Sequence, residues 1–80
     1  METKIHLTTK QKNKINRALK ALEEVRSDVA STSDNFINWY LEDTANLHLM
    51  DGDSHDDKGS ALQGMSIDCF FMNAASGGGW

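Results

Sequence analysis

The sequence predicts an α+β domain, with one N-terminal amphipathic helix packed on a three-stranded antiparallel sheet. Three observations predict it. Apolar residues recur at three- and four-residue steps from Ile15 to Val29, and aromatic and β-branched residues crowd three short segments beyond residue 35. The 80 residues are enough for one hydrophobic core and too few for two, so residues 1–80 form a single domain.

The helix is expected over residues 9–30. Thr8 or Thr9 is a plausible N-cap, because a threonine hydroxyl can satisfy one of the first unpaired backbone N–H groups. Ile15, Ala18, Leu19, Leu22, Val25 and Val29 then fall within one apolar arc, with Lys10, Arg17, Lys20 and Glu24 opposite. Residues 30–35 end the helix, since Ser, Thr, Asp and Asn side chains compete with the backbone for hydrogen bonds.

Strands are expected over 36–42 and 46–50, joined by Asp43, Thr44 and Ala45 as a hairpin, with a third over 66–73. Between them lies a polar, acidic loop over 51–64, and residues 74–80 read as a flexible tail that ends in Trp80.

Alternate strand residues face opposite sides of a sheet. Ile37, Trp39, Leu41, Leu47, Leu49, Ile67, Cys69 and Phe71 can share the side that packs on Ile15, Leu19, Leu22 and Val29. The second side carries Phe36, Tyr40, Met50, Phe70 and Met72, with Asn38 and His48, and no second long helix exists to cover it. A contiguous exposed patch of this kind marks a partner or self-association surface, including a homodimer through the second sheet face. The alternative is that the 51–64 segment folds over this face. Trp80 can dock on a partner or back onto the sheet.

Composition sets the class. With 39% hydrophobic and 25% charged residues the chain reads as an ordinary globular protein. No run approaches the roughly 20 apolar residues of a membrane span, and the first ten residues lack the apolar stretch of a secretory signal, so a cytoplasmic place and no membrane partner are expected. A lone Cys69 forms no internal disulfide and suits a core position in a reducing compartment.

The net charge of −4 hides a polarity. Up to Arg26 seven basic residues face three acidic ones, whereas from Ser27 onward Lys58 alone opposes nine acids. Such segregation steers charged partners. The first half offers a basic stripe, Lys10, Lys14, Arg17 and Lys20, which can neutralise phosphates in an alternative reading as a nucleic-acid-binding regulator. Against it stand Glu23 and Glu24, the acidity of the rest, and strands without a ribonucleoprotein-type aromatic motif.

Chemistry beyond binding finds little footing. Counted from Asp51, the glycine and glutamate that a helix-loop-helix calcium loop needs at its sixth and twelfth places are Asp56 and Leu62. His6, His48, His55 and Cys69 match no paired zinc-ligand spacing, so neither metal nor cofactor is expected, although a module centred on His55 is the metal-dependent rival. No nucleophile, base and orienting group are recognisable, so the chain reads as a non-enzyme.

The run from Leu47 to Asp57, closing with Ser76 to Trp80, resembles small uncharacterised proteins carried by bacteriophages and other bacterial mobile elements. In that setting a small acidic protein is similar to the inhibitors of host defence complexes, anti-CRISPR proteins among them. The resemblance implies stoichiometric inhibition in the bacterial cytoplasm. Asp51, Asp53, Asp56 and Asp57 would approach lysines or arginines that hold guide RNA or target DNA in a protein or nucleoprotein complex, such as a Cas effector. Phe36, Tyr40, His48, Met50, Phe70, Met72 and Trp80 would anchor the contact.

Overall fold

A computed structural model of the chain describes residues 2–79. One helix, α1 (Thr9–Ala30), is followed by three strands, β1 (Ile37–Leu41), β2 (Asn46–Asp51) and β3 (Ser66–Phe71), with a single 3-10 turn at Gln63–Met65 before the last. The sheet is antiparallel in the order β1-β2-β3. The domain is therefore α+β, as the patterning predicts.

The helix starts at a capping box. The Thr8 hydroxyl accepts from the Gln11 amide at 3.1 Å, and the Gln11 side chain accepts from the Thr8 amide at 2.9 Å, so two orphan donors are satisfied reciprocally. It stops where hydroxyls take over its last carbonyls: Ser31 donates to the Asp28 oxygen and Thr32 to the Val29 oxygen, each at 2.7 Å. The linker to β1 is pinned by Asp51, whose Oδ1 accepts from the Ser33 hydroxyl at 2.6 Å and from Asn35 Nδ2 at 3.2 Å.

The sheet supports only the C-terminal turns of the helix. At about 1.5 Å per residue α1 is about 33 Å long, whereas strands of five or six residues reach about 17–20 Å. Leu22, Arg26, Val29 and Ala30 are half-buried, but Ile15, Leu19 and Val25 remain exposed, contrary to the expectation that Ile15 and Leu19 pack on the sheet. Two polar clamps fix the crossing on β1: Arg26 Nη1 donates to the Ile37 oxygen at 3.2 Å, and Trp39 Nε1 to the Leu22 oxygen at 3.3 Å.

Register decides the faces. Trp39 lies opposite Leu49, and Leu49 opposite Asp68; Leu47 lies opposite Phe70. The helix side therefore carries Ile37, Trp39, Leu41, Leu47, Leu49, Asp68 and Phe70, and the other side Asn38, Tyr40, Asn46, His48, Met50, Cys69 and Phe71. This corrects the expected sides of Cys69, Phe70 and Phe71. The cause is a β-bulge: Leu49 pairs with Asp68 but the adjacent Met50 pairs with Ser66, which leaves Ile67 as the extra residue. Ile67 keeps its expected side, and the extra residue reverses the alternation after it. Cys69 is exposed on β3, not in the core.

Burial is shared between both faces. Ile37 and Leu49 are buried on the helix side, while Met50 and His48 are buried on the other, Met50 completely. The 52–65 segment covers Met50 and His48 there, so the alternative of a loop folded over the second face holds for its β1–β2 part, while Cys69 and Phe71 on β3 stay exposed on that side.

Candidate partner-binding surfaces

The covering segment is an ordered miniature hairpin. His55 and Ala61 form an antiparallel bridge, the Leu62 amide donates to the Ser54 oxygen at 2.8 Å, and the Asp56 amide to the Ser60 oxygen at 2.9 Å. Its tip is closed by the Asp56 carboxylate, which accepts from the amides of Lys58 and Ser60, both at 2.9 Å. A β-like tip of this kind needs a left-handed residue, and Gly59 supplies it at φ +82°. The segment is docked by Asn38 Nδ2, which donates to the Gly52 oxygen at 2.8 Å, and by an edge-on contact of Tyr40 with His55 at 5.7 Å, while His48 Nδ1 lies 2.8 Å from the Ser66 hydroxyl at the start of β3.

These contacts sort the expected partner-binding residues. Met50 and His48 are buried, and Tyr40, half-buried, packs against the hairpin. Asp51 holds the helix–sheet linker and Asp56 holds the hairpin tip. Asp53 and Asp57 are exposed, and among the described residues no hydrogen bond or ion pair ties their carboxylates. Phe36, just before β1, is 70% exposed, and Phe71, which sequence reasoning assigned to the core, is 69% exposed on the hairpin side of the sheet. Met72 follows it, partly exposed. Phe70 belongs to the opposite face, and the expectation for Trp80 lies outside the described residues.

The tail approaches β1. Gly78 bridges Glu42 in parallel, its amide donates to the Leu41 oxygen at 3.2 Å, and the Tyr40 hydroxyl donates to the Gly79 oxygen. This approach depends on the glycines, since a Cβ on Gly77 would lie 2.2 Å from the Leu41 oxygen. The glycine run expected as a flexible lead is thus an edge cover at the Leu41–Glu42 end of β1.

A second surface lies on the helix side. An open, apolar groove of about 430 Å³ runs between α1 and the sheet, lined by Leu22, Val25, Trp39, Leu49, Ile67, Asp68 and Phe70. It exists because the helix crosses β1 and leaves the β2–β3 part of this face uncovered. The bulge adds to it by letting the consecutive Ile67 and Asp68 both reach the wall. Sequence reasoning missed this groove, because the crossing of the helix over β1 and the bulge at Ile67 leave no local mark in the sequence.

The basic stripe of Lys10, Lys14, Arg17 and Lys20 is exposed on α1. Among the described residues no group of three His, Cys, Asp or Glu side chains is placed to hold a metal ion, and no helix is long and apolar enough to cross a membrane.

The fold and these surfaces define a small α+β domain with an acidic, aromatic-flanked hairpin face and an apolar groove behind it. Comparison with protein-family models, with curated proteins and with solved structures returned no match for this chain.

Proposed function

We propose that this domain is a non-enzymatic binding protein that acts by one-to-one contact with a macromolecule through its hairpin face. The observation that carries the reading is the state of the hairpin: Asp53 and Asp57 project unpaired from a segment already ordered by Asp56, with Phe36 and Phe71 exposed beside the covered sheet. Charges held on a preformed loop lose little entropy on binding, and exposed phenylalanines supply the apolar anchor that charges alone lack. The complement is a cationic protein surface. The resemblance to mobile-element inhibitors makes that surface the nucleic-acid-holding lysines and arginines of a bacterial defence complex, CRISPR–Cas effectors included, engaged in the host cytoplasm.

Affinity capture from bacterial lysate tests this, with wild type set against an Asp53→Asn, Asp57→Asn pair and against Phe71→Ala. A single nucleoprotein complex recovered with wild type and lost with both variants supports the reading. Recovery that is indifferent to both variants sinks it.

A second reading is favoured by the exposure of Lys10, Lys14, Arg17 and Lys20 on α1. In it the domain is a nucleic-acid-binding regulator, whose retention on DNA or RNA falls steeply with salt and is lost on Lys14→Glu, Arg17→Glu. Capture of nucleic acid alone would decide for it.

A further inference from the structure

We infer that the outer edge of β3 is a latent strand-pairing site for a second copy of this chain, and that Asp68 holds it shut. The inference concerns an edge of the sheet and neither of its faces, and it stands apart from the identity of any target.

The direction of each main-chain group on β3 follows from its bonds. The Met72 amide donates to the Ala45 oxygen at 2.8 Å, so Met72, Phe70 and Asp68 turn their amides and carbonyls toward β2. Cys69 and Phe71 alternate with them and turn theirs outward. The other side of β2 agrees. The Glu42 amide donates to the Asn46 oxygen, which sets Asn46 and His48 toward β1 and leaves Leu47 and Leu49 to bond Phe70 and Asp68.

The two borders of the sheet are closed by different means. On β1 the outward carbonyls are taken near both ends, that of Ile37 by Arg26 Nη1 and that of Leu41 by the Gly78 amide, each at 3.2 Å. On β3 the outward amide of Cys69 donates to Asp68 Oδ1 at 2.8 Å. The rest of β3 favours pairing, since Ile67, Phe70 and Phe71 are 49, 54 and 69% exposed and are residue types that suit a paired strand.

Asp68 is the exception on that strand. Its side chain lies on the helix side, opposite Leu49 and beside the groove residues Leu22, Val25, Trp39, Ile67 and Phe70, none of which carries a charge. Among the described residues no ion pair reaches it. A carboxylate adds nothing to an apolar wall, but on an edge strand it opposes pairing in two ways. It occupies an amide that an incoming strand must bond, and it would be stripped of water beside that strand.

The same borders say which strand is kept out. β2 is central and β1 is stopped near both ends, so β3 is the open strand that a second copy has to offer. With the two β3 strands antiparallel about a twofold axis at Phe70, the outward groups of Cys69 in one copy meet those of Phe71 in the other. The two Phe70 rings then lie side by side on the helix side. In this register Asp68 of each copy faces Met72 of the other, where its charge finds no counter-ion.

Sedimentation velocity over a wide concentration range tests the guard. Asp68→Ala is expected to lower the dimer dissociation constant about tenfold or more relative to wild type, because pairing then strips no charge of water. The bonds of β3 to β2 are main-chain bonds, so far-UV circular dichroism of dilute samples should be unchanged. Phe71→Pro added to Asp68→Ala removes an outward donor and no bond to β2, whereas Phe71→Lys spares the backbone and loads the same edge with charge. Either should restore the wild-type constant. An Asp68→Ala chain that associates no more strongly than wild type overturns the inference. So does a strengthened association that both Phe71 variants leave in place, since it would come from another surface.

Discussion

The indole Nε1 of Trp39 donates to the main-chain oxygen of Leu22 at 3.3 Å, where the sheet's hold on the C-terminal turns of the helix begins. A carbonyl inside a helix is already engaged by the amide four residues on, and the second bond fixes both the height and the rotation of α1 over β1. Trp39→Phe keeps most of the ring and removes the donor. It should lower the unfolding free energy by about 1 kcal/mol, read as a shift of the urea midpoint. An unmoved midpoint would mean that the ring alone positions the helix.

Arg26 joins Glu23 by two hydrogen bonds, at 2.8 and 2.6 Å. The first effect of this contact is to hold the Glu23 carboxyl below its usual range by hydrogen bonding; desolvation works the other way, and the guanidinium charge adds a smaller lowering. Since the carboxyl is depressed only in the folded chain, its contribution is complete above the ordinary value of about 4.3 and disappears as pH falls through the folded value. Glu23→Gln should therefore be less stable than wild type at neutral pH and equal to it in strong acid. The pair is exposed, so added salt should shrink the difference. Urea midpoints across pH, in low and high salt, check both parts.

At Gly77 the obstacle to a side chain is the Leu41 main chain, which cannot swing aside. Gly77→Ala should release the tail from β1 and forfeit the Gly78 and Tyr40 hydrogen bonds, about 1 kcal/mol each. Amide exchange at Gly78 would rise toward the unprotected rate while that of β2 stays slow. Retained protection at Gly78 would show that the edge contact survives.

Asp56 organises the hairpin tip through the amides of Lys58 and Ser60. Asp56→Ala should unfasten the tip at a cost of about 1 kcal/mol, visible as faster exchange of those two amides. The same variant separates loop order from loop charge in binding: if a partner reads only charge, its affinity should fall no further than with Asp57→Asn.

What the sequence disclosed and what it concealed have physical causes. The ends of α1 were legible because Thr8, Ser31 and Thr32 act through bonds to near neighbours in the chain. The three strands were legible from their aromatic and β-branched content. The side taken by Phe70 was not, because the bulge at Ile67 carries no glycine or other local mark and yet inverts every later residue of β3. The cover over Met50 was offered only as the alternative, since residues 51–64 read as polar loop until the bond of Asn38 to Gly52 and the loop's own backbone bonds are seen. Of the candidate carboxylates, Asp51 and Asp56 were drawn correctly to an acidic segment, but their structural use depends on distant or turn-specific partners that composition does not encode.

The short return of Gly78 onto β1 bears on how this sheet can grow. Strand addition needs an open ladder of amides and carbonyls, and unlimited stacking needs one on each side. Here one border is stopped at the Leu41–Glu42 end by the chain itself, while β3 remains the outer strand. At that end of β1 an incoming strand meets the protein's own backbone, while the outer border of β3 carries no such cover.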